Sequence, residues 1–141
     1  MSWYTIYFCS FLSFYHQWPG LYGKHGLLPV GDYCRTILNH FQCDITTDIN
    51  CIYNVLQKLP SIFLFQDYIN IPSDIFSDFV LIMSMFCSVA LVQYKLHPLF
   101  ITILIIICHI NYLSIISIGQ TFTTFQWDIL LMEIGLYKFF Q

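Results

Sequence analysis

Charge is the scarcest property of this chain. Asp, Glu, Lys and Arg make up 9% of its 141 residues, while hydrophobic residues make up 57%. Soluble domains carry roughly 25% charged residues, so a water-soluble fold of this size could not cover its surface. The few cations, Lys24, Arg35, Lys58, Lys95 and Lys138, are scattered, and the formal net charge is -3. Phosphate neutralisation needs clustered Lys and Arg, which excludes nucleic acid as a partner. No Cys-x-x-Cys pair occurs, and no metal motif or nucleophile–base arrangement is visible. These absences argue against a cofactor and against an enzyme. The first 23 residues contain no Asp, Glu, Lys or Arg, and no small-x-small cleavage site follows them. A signal peptide has a basic start and such a site, so this stretch reads as a span or signal anchor.

What the chain does have is apolar length. Trp3 to Trp18 is rich in Phe and Tyr with Trp at each end, a pattern that fits an interfacial aromatic belt. Pro19-Gly20 is expected to stop that helix. The stretch 20–77 is the polar region, turn-rich at its start through Gly20, Gly23, Gly26, Pro29 and Gly31. Ile37, Leu38, Phe41 and Ile45 give 34–59 weak helical character. Ser61 to Phe65 is apolar but too short to cross a membrane, and reads as a re-entrant or interfacial piece. A further helix is expected to open at Ser73 or Ser77, either of which can cap, with Asp74 and Asp78 near its positive end. Lys95-Leu96-His97-Pro98 makes a tight link, with Pro98 in the first turn of the next helix. Leu99 to Ile118 is the clearest span, lying within 32 residues that hold no Asp, Glu, Lys or Arg. His109 and Asn111 interrupt it. They read first as interhelical hydrogen-bonding groups, worth about 0.6 kcal/mol each and at most ~2.

These elements predict an all-α fold, a multi-pass transmembrane helical bundle. Its parts are a first transmembrane helix (1–19), a polar loop with short helices (20–72) and transmembrane helices with a Gln-Trp-Asp motif (73–141). Within the third part, Thr123 and Gln126 match a capping box. Gln126 and Glu133 lie seven residues apart on one helix face, Trp127 reads as an interface anchor, and Gly135 permits a close helix approach. Asp128 falls near the N-terminus of that helix, where its charge is favoured. That last helix stops at Gln141, short of a full span of ~20 residues, so the chain reads as an N-terminal fragment. Cys34, Cys43 and Cys51 lie in the polar loop. They allow one disulfide and leave one thiol over if the loop faces an oxidising lumen. Cys34 and Cys43 with His40 as a metal site is the weaker reading.

Two blocks resemble the lipase maturation factor family. The first runs Gln17-Trp18-Pro19-Gly20-Leu21-Tyr22-Gly23-Lys24-His25-Gly26-Leu27-Leu28-Pro29-Val30, in which Leu21, Tyr22, Gly23, Gly26 and Pro29 carry the likeness. The second is Gly119-Gln120-Thr121-Phe122 with Phe125-Gln126-Trp127-Asp128, then Leu130-Leu131, Glu133 and Gly135. The resemblance implies a multi-pass protein of the endoplasmic reticulum membrane that helps secreted lipases mature, lipoprotein lipase among them. It implies no enzymatic activity. Its partners would be the lipid bilayer and client lipases, the latter through a C-terminal domain that this chain lacks. It also places the N-terminus in the cytosol and the first loop in the lumen, whereas Lys24, Arg35 and Lys58 in that loop point the other way by the positive-inside rule. Residues alone leave a second class open: a membrane-embedded enzyme or lipid-handling protein that gathers Glu133, Asp128, His109 and Gln126 in one pocket. A transporter is a third class, but no inverted repeat is visible.

Overall fold

The computed structural model describes residues 3–42, 48–93, 95–119 and 126–140, without the side chains of 67, 126–128, 138 and 139. The described residues are all-helical or irregular, with no strand among them. In order they form α1 (Trp3–Leu21), α2 (Val30–His40), α3 (Ile49–Lys58), a 3₁₀ turn (Ile62–Phe65) leading into α4 (Gln66–Ile69), α5 (Ser73–Val92), α6 (Pro98–Ile118) and α7 (Gln126–Phe140). The long helices pack in sequence around the bundle, α1 on α5, α5 on α6 and α6 on α7. The described residues of the stretch 22–72 gather at one end of it, hereafter the loop end.

Among the described residues two helices are long and apolar enough to cross a membrane, α5 with 20 residues and α6 with 21. At 1.5 Å per residue each reaches about 30 Å, the thickness of a hydrocarbon core. In a soluble core such helices would be mostly buried. Here only 28% of the apolar window of α6 is buried, and Phe79, Phe86, Leu99 and Phe100 point outward. An apolar outer face of this kind is at home in lipid and costly in water. α1 has 19 residues but carries Tyr, Ser, His and Gln among its aromatics.

The aromatics of α1 form a stripe, not a belt. Tyr7, Phe11, Trp18 and Tyr22 are buried at helical spacing. The Tyr7, Phe11 and Phe14 rings surround Tyr112 of α6, with centroids 5.7, 5.8 and 6.1 Å from it. Each such pair adds about 0.5–1.5 kcal/mol beyond area burial. Trp18, expected at an interface, is 2% exposed. Its ring lies against Tyr22 (4.8 Å) and Phe63 (5.4 Å). Trp3 alone of the pair keeps an exposed position.

α5 presents Ser77, Ser84 and Ser88 inward, all buried. Small side chains let helices approach closely, and each hydroxyl donates to a carbonyl of its own helix. Asn111 Nδ2 donates to Ser84 Oγ at 2.8 Å, so the interhelical role expected of Asn111 is what the structure shows. His109 differs: its Nδ1 is buried without a hydrogen-bond partner. Asn111→Leu in the full-length protein should cost about 0.6 kcal/mol and no more than ~2, read as a small drop in detergent melting temperature. A loss several-fold larger would mean that Asn111 does more than join α5 to α6.

Several local expectations are revised. α1 runs through Pro19 to Leu21. Neither Ser73 nor Ser77 caps α5: Pro72 is the N-cap, and Ser77 instead donates to the Ser73 carbonyl. The helical character of 34–59 is divided between α2, which ends at His40, and α3, which opens at Ile49. The short apolar piece is central to the packing. Phe63 is 0% exposed, stacked on Trp18 and edge-on to Phe76 at 5.6 Å. Ser61 caps its first turn by accepting from Phe63 N-H. The end of α6 stitches it down: Ile62 N-H donates to Ser114 Oγ (3.1 Å), and Ser117 Oγ donates to the Pro60 carbonyl (3.3 Å).

Candidate functional site

The first motif block builds a tight turn on the end of α1. The Trp18 carbonyl accepts from both Tyr22 N-H (2.8 Å) and Gly23 N-H (3.0 Å). The chain then folds back, with Leu27 N-H on the Gly20 carbonyl, Leu28 N-H on Leu21 and Val30 N-H on Tyr22. Side chains are excluded at two places. A Cβ on Gly23 would stand 2.7 Å from the Pro19 carbonyl oxygen, and one on Gly26 would stand 2.8 Å from the Leu21 carbonyl group. These neighbours are backbone and cannot swing aside, which is a physical reason for the Gly-x-x-Gly spacing. Pro29 then serves as N-cap of α2; having no N–H, it leaves no donor unpaired there.

The turn is fastened at two points. Lys24 N-H donates to Asp74 Oδ1 at 2.9 Å, at the start of α5. The buried Tyr22 donates its hydroxyl to the Gly119 carbonyl at 3.3 Å. Gly119 is the first residue of the second block, so the two blocks meet in space although 97 residues separate them.

The rest of the second block is divided. Gln120 and the Thr123 cap lie outside the described residues, as do the side chains of Gln126, Trp127 and Asp128 that open α7. Glu133 is exposed on α7. Gly135 faces the bundle, where a Cβ would overlap the Tyr7 hydroxyl and come within 3.3 Å of His109 Nδ1. The Tyr7 hydroxyl donates to the Leu131 carbonyl at 3.1 Å, one helical turn before Gly135. Two apolar hollows flank this crossing. One, of about 150 Å³, is bounded by Tyr7, Cys108 and Gly135. The other, of about 180 Å³, is bounded by His109 and Gly135. Glu133 lines neither, so of the four groups expected to converge in an enzyme pocket, the two described do not share one.

A hollow of about 270 Å³ opens at the loop end, bounded by Trp18, Lys24, His25, Asp74 and Asp78 among others. Two buried polar side chains nearby lack partners: Trp18 at Nε1, and Gln66 at both amide atoms with 1% exposure. Sequence reasoning missed Gln66 and Tyr7. Gln66 follows an apolar run and reads as its polar boundary. Tyr7 could have been found from its i, i+4 relation to Phe11. In the loop, Cys34 is a thiol buried in the core, Cys51 is disulfide-bonded, and Cys43 lies outside the described residues. Among the described residues no three His, Cys, Asp or Glu side chains are grouped to hold a metal.

All 141 residues match the family model described as the lipase maturation factor transmembrane domain. The chain is 28% identical over 130 residues to lipase maturation factor 2 of Xenopus tropicalis, covering 92% of this chain and 16% of that protein. It is 28% identical over 144 residues to lipase maturation factor 1 of Homo sapiens, covering 96% and 22%. It is 30% identical over 131 residues to lipase maturation factor 2 of Homo sapiens, covering 93% and 17%. The chain thus spans 16–22% of the length of these relatives. No solved structure matches it.

Proposed function

The chain belongs to the lipase maturation factor family, and from that premise we propose that it is membrane-embedded machinery of a folding factor that helps secreted lipases mature. The observation that carries this reading is the match to the family's transmembrane domain across residues 1–141. The role is non-catalytic: the family is named for maturation of lipases, and the motif residues seen here make turns and helix contacts. The bundle crosses the membrane of the endoplasmic reticulum several times, with α1 and α7 joining α5 and α6 as spans. Clients of the lipoprotein lipase type engage the larger protein to which this membrane region corresponds. In cells lacking the full-length gene, secreted lipase should have sharply reduced specific activity. Normal specific activity there would remove the assignment.

The same reading puts the loop end in the lumen. Cys51 is disulfide-bonded, and structural disulfides belong to oxidising compartments. Lys95, between α5 and α6, and Lys138, near the end of α7, sit with the amino terminus at the opposite end and partly offset the loop cations Lys24, Arg35 and Lys58 under the positive-inside rule. Asp44→Asn provides a direct test, because it creates an Asn-x-Thr acceptor with Ile45 and Thr46. One endoglycosidase-sensitive glycan is expected on this variant when it is made in cells. A variant left unmodified while the same acceptor placed beside Lys95 is glycosylated would reverse the orientation.

A further inference from the structure

We propose that Tyr68, Ile69 and Ile71, with Ile75, form an interfacial anchor that dips into the lumenal leaflet, so that the loop end rests on lipid as well as on the helices. The proposal rests on the reading of α5 as a span with the loop end in the lumen. The chain turns from core to surface at α4. Phe63, Leu64 and Gln66 are buried, whereas Tyr68, Ile69 and Ile71 are exposed, Tyr68 by 65%. The short helix closes on its own backbone. Ile71 N-H donates to the Gln66 carbonyl at 3.4 Å, and Asn70 takes the left-handed conformation with φ 60°, which Asn tolerates at a helix end. Three large side chains are thus left uncovered on either side of one turn.

This patch continues the lipid-facing side of α5. Ile75, Phe79, Ile82 and Phe86 are exposed and recur at i, i+4, i+7 and i+11, which is one helical face. Ile71 stands four residues before Ile75, at the head of that stripe. The carboxylates of α5 belong elsewhere: Asp74 and Asp78 bound the hollow shared with Lys24 and His25, and Asp74 accepts from Lys24 N-H.

Length sets the depth. The apolar part of α5, from Ile75 to its last residue Val92, rises about 26 Å at 1.5 Å per residue. A hydrocarbon core is about 30 Å thick. The far end does not supply the difference, because Gln93 and Lys95 are exposed just beyond Val92. The missing length falls on Ile71 and Pro72, which puts the patch at the boundary between acyl chains and headgroups. Isoleucines there bury in the acyl edge, and a Tyr keeps its hydroxyl among the headgroups. In water the same patch would be a costly apolar surface.

The test places a benzophenone amino acid at Ile69, Ile71, Phe79 or Ile49, one at a time, in the full-length protein. Each variant is illuminated in phosphatidylcholine nanodiscs, and lipid adducts are measured by mass spectrometry. Phe79 is the lipid-facing reference, and Ile49, 84% exposed at the start of α3, is the solvent reference. Adducts at 69 and 71 are expected within about threefold of Phe79 and about tenfold above Ile49, the contrast between groups seated in the interface and groups left in water. Adducts at Phe79, with 69 and 71 no higher than Ile49, would overturn the anchor and leave the span standing. No adduct at Phe79 would remove the span reading and the anchor with it. Cross-links from 69 and 71 to protein instead of lipid would also overturn the proposal. Trifluoromethyl-phenylalanine in place of Tyr68 gives a reading free of the bulky probe. Its fluorine signal should broaden more with dissolved oxygen than with a water-soluble gadolinium chelate; the reverse order would overturn the proposal.

Discussion

Replacing Gly135 with alanine is expected to destabilise the bundle by about 2–4 kcal/mol. The added Cβ would overlap the Tyr7 hydroxyl and press on His109 Nδ1. Overpacking of this kind costs typically 1–3 kcal/mol. Moving Tyr7 away would also break its bond to the Leu131 carbonyl, a further ~0.5–1.5 kcal/mol. The ring cannot retreat easily, because Phe11 and Tyr112 pack against it. The measurement is a denaturation series of the full-length protein in micelles, with a built-in rescue. Tyr7→Phe alone should cost about 1 kcal/mol. Combined with Gly135→Ala it should be less damaging than Gly135→Ala alone, because removing the hydroxyl makes room for the methyl group. Such non-additivity is the signature of direct contact. Additive losses would mean that α7 does not meet α1 at this point.

The second large effect is expected at Phe63. Its replacement by alanine should cost about 3–5 kcal/mol, the usual range for a fully buried Phe. The ring is 0% exposed and joins Trp18 of α1 to Phe76 of α5. Its loss would leave a void beneath the 3₁₀ turn and loosen the hold of the loop on the bundle. Limited proteolysis is expected to cut Phe63→Ala within residues 41–72 while sparing α5 and α6. An unchanged cleavage pattern would show that the loop is held by the serine contacts of α6 alone. Phe65→Ala, at a half-buried neighbour, should be the milder control.

These positions also show where sequence reasoning reaches and where it stops. The limits of α5 and α6 follow from long apolar runs and from Pro98, whose missing N–H belongs at a helix start. Gly135 was legible because a glycine in an apolar helix has few uses besides close approach. The direction of Trp18 was not legible, because an amphipathic ring at a helix end suits an interface and a core equally well. Only Phe63 and Tyr22, brought there by tertiary folding, decide between them. Ser61 to Phe65 was too short to show a period, so its burial could not be read from pattern. The pairing of the two blocks was equally hidden, since one hydrogen bond across 97 residues leaves no local trace. The Gly-x-x-Gly spacing could be seen in the sequence, but its cause, two backbone carbonyls under the glycines, could not.

The Tyr22–Gly119 bond also sets a clock on synthesis. Ribosomes add about 5–20 residues per second, so the acceptor emerges roughly 5–20 s after the donor. Throughout that interval the first helix, already made, must wait with Tyr22 and much of its aromatic stripe uncovered, since Tyr112 is equally late. A nascent chain held so long in an incomplete state is itself a natural client for whatever guards unpaired helices in the membrane.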